Sequence, residues 1–380
     1  MEKEKGNSLR ITVIGFTTLV IAMGIGRFVF TPILPLMQNE NLLTVSEGGW
    51  VASVHFLGYW IGATVASRLP LAPKLVLKAS LVIIGLSTLL MGLTDLISLW
   101  LILRFLAGSL SAFCLVMVGG FYIEYLAKHG QVAMQGVVFS GVGGGIALSG
   151  LAALVIMQLG IGSSHSWIIF GAVILIAAAF LFLLIGDEIP GKKAMKSAEL
   201  TAEKTPLNWR NIIAYGATGV GYVIPATYLP VMARTVINDP LIFGWSWPIF
   251  GGAAFVSTIL AARLQRHFTN AAIWRISQLV LGTGLLLPLI SGHVGMILLS
   301  GLCVGGTFMI ITMMGMKEAH RLAPASDALR HIAAMTAAFA AGQMVGPLIA
   351  SLLYQVNGTF TLSLVLTSSV LFGTAFLVRK

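Results

Sequence analysis

GIGRFVFTPILPLM, residues 24–37, has a second version far along the chain, GVGYVIPATYLPVM, residues 219–232, and a shift of 195 positions lays one on the other. The shift pairs Gly24 with Gly219, Gly26 with Gly221, Leu34 with Leu229, Pro35 with Pro230 and Met37 with Met232. It also pairs Arg68-Leu69 with Arg263-Leu264, and a shift of 201 aligns Met134, Gly141 and Gly145 with Met335, Gly342 and Gly346. Agreement at three places in the same order argues for an internal duplication. Both copies lie in apolar runs long enough to cross the ~30 Å hydrocarbon core of a bilayer as helices.

Working outward, twelve such runs fall at about 11–37, 45–69, 75–94, 96–126, 131–158, 164–186, 209–236, 243–264, 270–290, 292–316, 330–355 and 358–378. Only SGHVG separates the ninth from the tenth. Charged residues make up 9% of the 380 positions and hydrophobic ones 57%, where a soluble domain carries about 25% charge. The expected fold is therefore an all-α polytopic membrane protein, with twelve transmembrane helices in two pseudo-symmetric six-helix bundles. Residues 1–186 form the N-terminal bundle, 187–208 a polar linker with lysines and Pro190 and Pro206, and 209–380 the C-terminal bundle. Six spans per half make the repeats parallel, with a binding site expected between the halves near the midplane.

Basic residues set the orientation, because cytoplasmic loops collect lysine and arginine. Twenty of the 23, from Lys3, Lys5 and Arg10 to Arg379 and Lys380, fall on one side of this twelve-span arrangement, together with both termini. Both termini and the linker are thus expected in the cytoplasm. The net charge of +10 follows from topology and gives no reason to expect nucleic acid as a partner. The first apolar run exceeds a signal-peptide core and has no small-residue cleavage site, so it reads as a retained helix. Cys114 and Cys303 lie inside spans and read as packing thiols, with no metal or cofactor implied.

Twelve spans divided six and six, a basic central loop and inside termini resemble the major facilitator superfamily. The pattern G-x-G-R-F-x-F-T-P-x-L-P-x-M from Gly24 to Met37 is similar to the first helix of its bacterial YbfB/YjiJ subgroup. The resemblance implies transport by alternating access, in a bacterial inner membrane. Between spans two and three the superfamily usually carries an aspartate ahead of basic residues; here Ala66 stands near that place, while Arg68 and Lys74 keep the basic side. Those two and Arg263 are the expected gating-loop residues.

Arg27 is the residue that calls for an explanation. It stands sixteen residues into the first run, roughly 24 Å along a helix at 1.5 Å per residue. A charge near the bilayer centre costs about 2.5–3.5 kcal/mol on insertion scales and survives mainly where it faces a cavity or partner. Arg104, some eight residues into span four, is the second such cation, while Glu124 and Glu318, at cytoplasmic helix ends, are the deepest of the thirteen acids. With no internal counter-ion in view, Arg27 is expected to face an aqueous vestibule and bind an anion, with Arg104 sharing it. Guanidinium suits carboxylate or phosphate because its planar fork donates two parallel hydrogen bonds.

His55 and Tyr59 lie one turn apart on span two and are expected in the same cavity, His55 as a candidate proton carrier. In the second half Tyr222 occupies the position equivalent to Arg27, and Tyr228 and Gln343 complete the expected substrate-binding set. Gly141, Gly145 and Ser149, and Ala338, Gly342, Gly346 and Ala350, recur every four residues and read as close helix contacts. Trp245 and Trp247 read as interfacial belt residues.

The leading function is secondary active transport of a small organic anion, carboxylate-type, by a monomer. Export is slightly favoured, since expelling a monoanion from a negative interior gains about 2.3 kcal/mol per 100 mV. Proton-coupled efflux of drugs and a non-transporting sensor are the alternatives. An enzyme would need a nucleophile or metal constellation, and none is visible around His55.

Overall fold

The computed structural model describes residues 2–66, 72–186, 205–236, 244–291, 293–323 and 328–378. Every regular element among them is helical. We label the α-helices α1 (Glu2–Leu19), α2 (Phe30–Asn39), α3 (Val45–Ala66), α4 (Pro73–Leu90), α5 (Ile97–Met117), α6 (Ile123–Lys128), α7 (Val132–Gln158) and α8 (Ser163–Leu184). The others are α9 (Trp209–Val236), α10 (Ser246–Leu264), α11 (Asn270–Ile290), α12 (Val294–Leu322), α13 (Ala328–Asn357) and α14 (Thr361–Ala375).

Among the described residues, ten helical stretches are long and apolar enough to cross a membrane. The other two expected spans are present as helices. α3 has 22 residues but is diluted by Glu47, His55 and six glycines and alanines at its core-facing positions. α14 has 15 residues and so covers about 22 Å at 1.5 Å per residue. The expected ninth and tenth spans are separate helices, α11 and α12. Most of the expected linker, like Arg68, lies outside the described residues.

The first span is not the single uninterrupted helix its apolar run suggests. α1 widens into a π-helical stretch, Val20–Ile25, where the Gly26 N–H reaches back five residues to the Ile21 carbonyl (2.8 Å). Residues 26–29 then form a turn that tightens, the Thr31 N–H donating to Phe28 only three residues back (3.2 Å), and α2 resumes at Phe30. Pro32 and Pro35 lack the N–H groups that a regular ladder needs here, so its carbonyls are released. A second π-helical stretch, Val118–Tyr122, joins α5 to α6.

Two carboxylates fix the end of this half where α2 leads into α3 and α8 begins. Glu47 closes a capping box on α3, its Oε2 accepting from the Thr44 N–H (2.7 Å) while Thr44 Oγ1 accepts from the Glu47 N–H (3.2 Å). Glu40, just past α2, accepts from the Ser163 N–H (2.8 Å) at the start of α8, where a negative charge suits the free amides and helix dipole.

Glycine decides which helices touch. A Cβ on Gly24 would lie 2.4 Å from the Gly145 Cα, which joins the π-helical end of α1 to α7; one on Gly342 would lie 2.4 Å from the Gly216 carbonyl oxygen, which joins α13 to α9. A Cβ on Gly108 of α5 would lie 2.0 Å from the His55 carbonyl oxygen of α3, and one on Gly305 of α12 would lie 2.2 Å from the Phe250 carbonyl oxygen of α10. The two halves of the sequence therefore repeat their packing as well as their pattern. Close approach of small residues is the main source of helix affinity where lipid competes for apolar surface. Gly108→Val is expected to separate α3 from α5 and lower the thermal midpoint of the purified protein by several degrees; an unchanged midpoint would contradict the backbone contact.

Between the halves the same device works on the opposite face of α7. A Cβ on Gly143 would lie 2.3 Å from the Phe255 amide nitrogen of α10, and one on Gly251 of α10 would lie 2.2 Å from that of Ala147. GVGGG, residues 141–145, thus lets α7 lie against α1 with Gly141 and Gly145 and against α10 with Gly143. On the other side of the molecule α3 packs on α13, Gly49 against Ser351 and the Tyr228 hydroxyl.

The two tryptophans of α10's N-terminus part company. Trp245 is exposed, as a belt residue should be, but Trp247 is fully buried, stacked on Phe250 at 4.9 Å and 6.1 Å from the Phe28 ring. One helical step turns the second indole toward the centre, and its large apolar area is better used there.

Candidate functional site

Arg27 sits in the turn between the two pieces of the first span, and its guanidinium crosses to the other half of the chain. Its Nη2 donates to the Tyr222 hydroxyl of α9 at 2.8 Å. Four residues on, Thr31 Oγ1 donates to the Ala226 carbonyl at 2.5 Å. Both pairs are separated by 195 residues, the repeat offset itself. A residue meets its own repeat equivalent only on the axis that relates the two copies, so Arg27, Thr31, Tyr222 and Ala226 mark that axis.

Around the guanidinium the first half supplies aromatic faces. Its Cζ lies 4.3 Å from the centroid of Tyr59, 4.9 Å from Phe28 and 5.1 Å from Phe56. Cation–π attraction of this kind is worth about 2 kcal/mol where water is excluded. Across the axis Tyr222 is clasped between Phe308 of α12 (4.8 Å, 6°) and Phe339 of α13 (5.4 Å, 14°). Gln343, one turn beyond Phe339, places its amide nitrogen against the Tyr222 hydroxyl, and its Oε1 is buried without a partner.

Arg104 lies beside this centre, engaged in a different task. Nη1 donates to the Gly26 carbonyl (3.1 Å) and Nη2 to the Arg27 carbonyl (2.8 Å). These are carbonyls of the interrupted turn, and the Thr31 N–H that would serve Arg27 in a regular helix has gone to Phe28. A cation on carbonyls at the C-terminal end of a helical segment is favourable on dipole grounds too.

His55 is buried beneath the same cluster, edge-on to Phe56, and neither ring nitrogen has a hydrogen-bond partner. Both arginines act on it electrostatically. Arg27 Nε and Arg104 Nε are buried and unpartnered as well. An unmade buried hydrogen bond costs about 1–3 kcal/mol, so five such atoms in one place, with Gln343 Oε1, set this region apart from ordinary core.

Among the described residues neither Arg27 nor Arg104 has a carboxylate within ion-pair distance. The expected aqueous vestibule, however, is closed in this structure: Arg27, Arg104, His55, Tyr59, Tyr222 and Gln343 are each at most 3% exposed. Aromatic rings and the Arg27–Tyr222 bond fill the space between the halves. Tyr228 is placed elsewhere, its hydroxyl donating to the Pro347 carbonyl (3.3 Å) and its ring 5.0 Å from Phe360, at the level of Gly49. Lys74, in the first turn of α4, and Arg263, in the last turn of α10, are both on the surface, far along their helices from Arg27.

The sequence named the charged and hydroxyl groups of this centre but not Phe56, Phe308 or Phe339, and it assigned Trp247 to the interfacial belt. In spans where phenylalanine is ordinary, nothing in the pattern singles these out. The direct meeting of Arg27 and Tyr222 did have a signal, since they are equivalent positions of the repeat.

The model of the family described as Uncharacterised MFS-type transporter YbfB matches residues 19–379. The chain is also 27% identical over 283 residues to a Bacillus subtilis (strain 168) protein described as Uncharacterized MFS-type transporter YceJ. That alignment takes in 73% of this chain and spans 64% of the length of the relative.

Proposed function

From the premise that the chain belongs to the family of YbfB-type MFS transporters, we propose that it carries a small organic anion across the membrane by alternating access, with Arg27 as the anion's principal partner. The observation that supports this most is the state of that guanidinium. It is buried on the axis between the halves, without a carboxylate among the described residues, and held across the interface by a single neutral hydroxyl. A permanent internal partner would have been an acid; a phenol is a weaker acceptor that an incoming carboxylate can displace.

In this reading the Arg27–Tyr222 bond closes the empty carrier. A carboxylate entering from either side takes over the guanidinium, frees Tyr222 and Gln343 to donate to it, and loosens the contact between the halves. The energy difference between the two openings is then set by the ligand, as a population shift requires. Expulsion of a monoanion alone runs down the membrane potential, which favours export; when a proton travels with it the step is electroneutral and the potential no longer sets the direction. Both termini are placed in the cytoplasm on the distribution of lysine and arginine. The test is flux: purified protein in proteoliposomes should exchange a radiolabelled monocarboxylate across the bilayer, and binding without flux would leave a sensor instead.

His55 is the proposed proton carrier. Charging the imidazole beside two guanidinium groups adds a third positive charge, which a bound anion offsets, so proton and anion should move together. His55→Gln is expected to remove the pH dependence of net transport while leaving anion exchange intact. Unchanged pH dependence in that variant excludes the role.

A further inference from the structure

We infer that the anion is a monocarboxylate with an aromatic or other apolar body, in preference to a dicarboxylate or a polyhydroxy acid. This inference rests on the anion-carrier reading above and narrows its substrate.

The charge count comes first. Two guanidinium groups are buried here, but Arg104 spends one N–H of each Nη on the backbone carbonyls of the interrupted turn, which fixes its fork against that turn, and its Nε is the one nitrogen left without a partner. Arg27 has an unpartnered Nε and an Nη2 held by the displaceable Tyr222 hydroxyl, so one fork is on offer. A second carboxylate on the ligand would find no second open fork, because the Arg104 guanidinium is turned onto the backbone.

The walls come second. On one side the Tyr59 ring lies 4.3 Å from the Arg27 Cζ; on the other Tyr222 is sandwiched by Phe308 and Phe339 at 4.8 and 5.4 Å. A ligand whose carboxylate sits on Arg27 must lay the rest of itself between these rings as the halves part. Ring faces reward apolar and aromatic surface and leave the several hydroxyls of a sugar acid without acceptors or donors. Tyr222 and Gln343 can serve the carboxylate itself or one further polar group.

The experiment is isothermal titration of the full-length protein with benzoate, benzamide, succinate and gluconate, repeated on Arg27→Ala and, in case that variant fails to fold, on Arg27→Lys. Benzoate is expected to bind at least about tenfold more tightly than succinate or gluconate. It should also bind at least tenfold more tightly than uncharged benzamide, with the benzoate signal reduced in either arginine variant. Succinate or gluconate binding as tightly as benzoate, with all three weakened by loss of Arg27, overturns the apolar-body inference and leaves the anion reading standing. Benzamide matching benzoate, or benzoate binding unaffected by both substitutions, overturns the anion reading itself. Absence of binding by every probe overturns both.

Discussion

Arg27→Ala is expected to yield protein that inserts and folds with nearly parental thermal stability but binds carboxylate probes at least about 100-fold more weakly. Two charge-assisted hydrogen bonds to one carboxylate contribute about 1.5–3 kcal/mol each, and every 1.4 kcal/mol is tenfold in affinity. Stability should change little because two effects oppose each other. The substitution gives up the 2.8 Å bond to Tyr222 and the contact with the Tyr59 ring. It also removes a charge whose burial in a membrane costs about 2.5–3.5 kcal/mol. Arg27→Lys keeps the charge and loses the fork, so about a tenfold loss is expected; parental affinity in that variant would rule out bidentate recognition. Titration calorimetry and a thermal melt of each variant without ligand are sufficient. Undiminished affinity in the alanine variant would remove Arg27 from the site.

Arg104→Ala should do the reverse, lowering stability first and affinity only as a consequence. Its two hydrogen bonds hold carbonyls that the interrupted turn cannot satisfy for itself. Bonds to a charged donor run to about 1.5–3 kcal/mol each, and interhelical bonds in membranes sit at the low side of soluble values. Removing the buried charge offsets part of this, as it does for Arg27, but two carbonyls are then left unsatisfied within the membrane, so a net loss of about 1–3 kcal/mol is expected, seen as a fall in the thermal midpoint. Arg104→Lys can reach one of the carbonyls and should recover part of it. The selectivity between mono- and dicarboxylates should survive in the lysine variant, because Arg104 supports the turn that carries Arg27 and does not take the anion. Full stability in the alanine variant, together with altered charge selectivity, would make Arg104 a ligand group instead.

The contrast between these two arginines shows what kind of information each level carries. In sequence they look alike, lone cations in apolar runs. What separates them is whether their N–H groups meet backbone or a displaceable side chain, and that depends on where the first span breaks. The break itself was only half legible. Pro32 and Pro35 in the first copy and Pro225 and Pro230 in the second give both equivalents a reason to bend, yet α9 runs unbroken from Trp209 to Val236 while its counterpart splits at residues 26–29. Among the described residues only the first copy has an arginine from a neighbouring helix to satisfy the released carbonyls, and a released carbonyl in a membrane is too costly to leave alone.

Apolar run length, the 195-residue repeat and the side chosen by lysine and arginine are properties of the chain read in order, and hydrocarbon thickness converts them directly into spans and a duplicated all-helical fold. The same linear reading isolates Arg27, because an intramembrane charge is expensive wherever it ends up. Which aromatic rings surround it, that Trp247 turns inward while Trp245 stays at the surface, and that Arg27 meets its own repeat equivalent Tyr222 were decided by packing. Those contacts join positions up to about two hundred residues apart, and they form only when glycine-lined helices approach within backbone distance, a condition that no local pattern encodes.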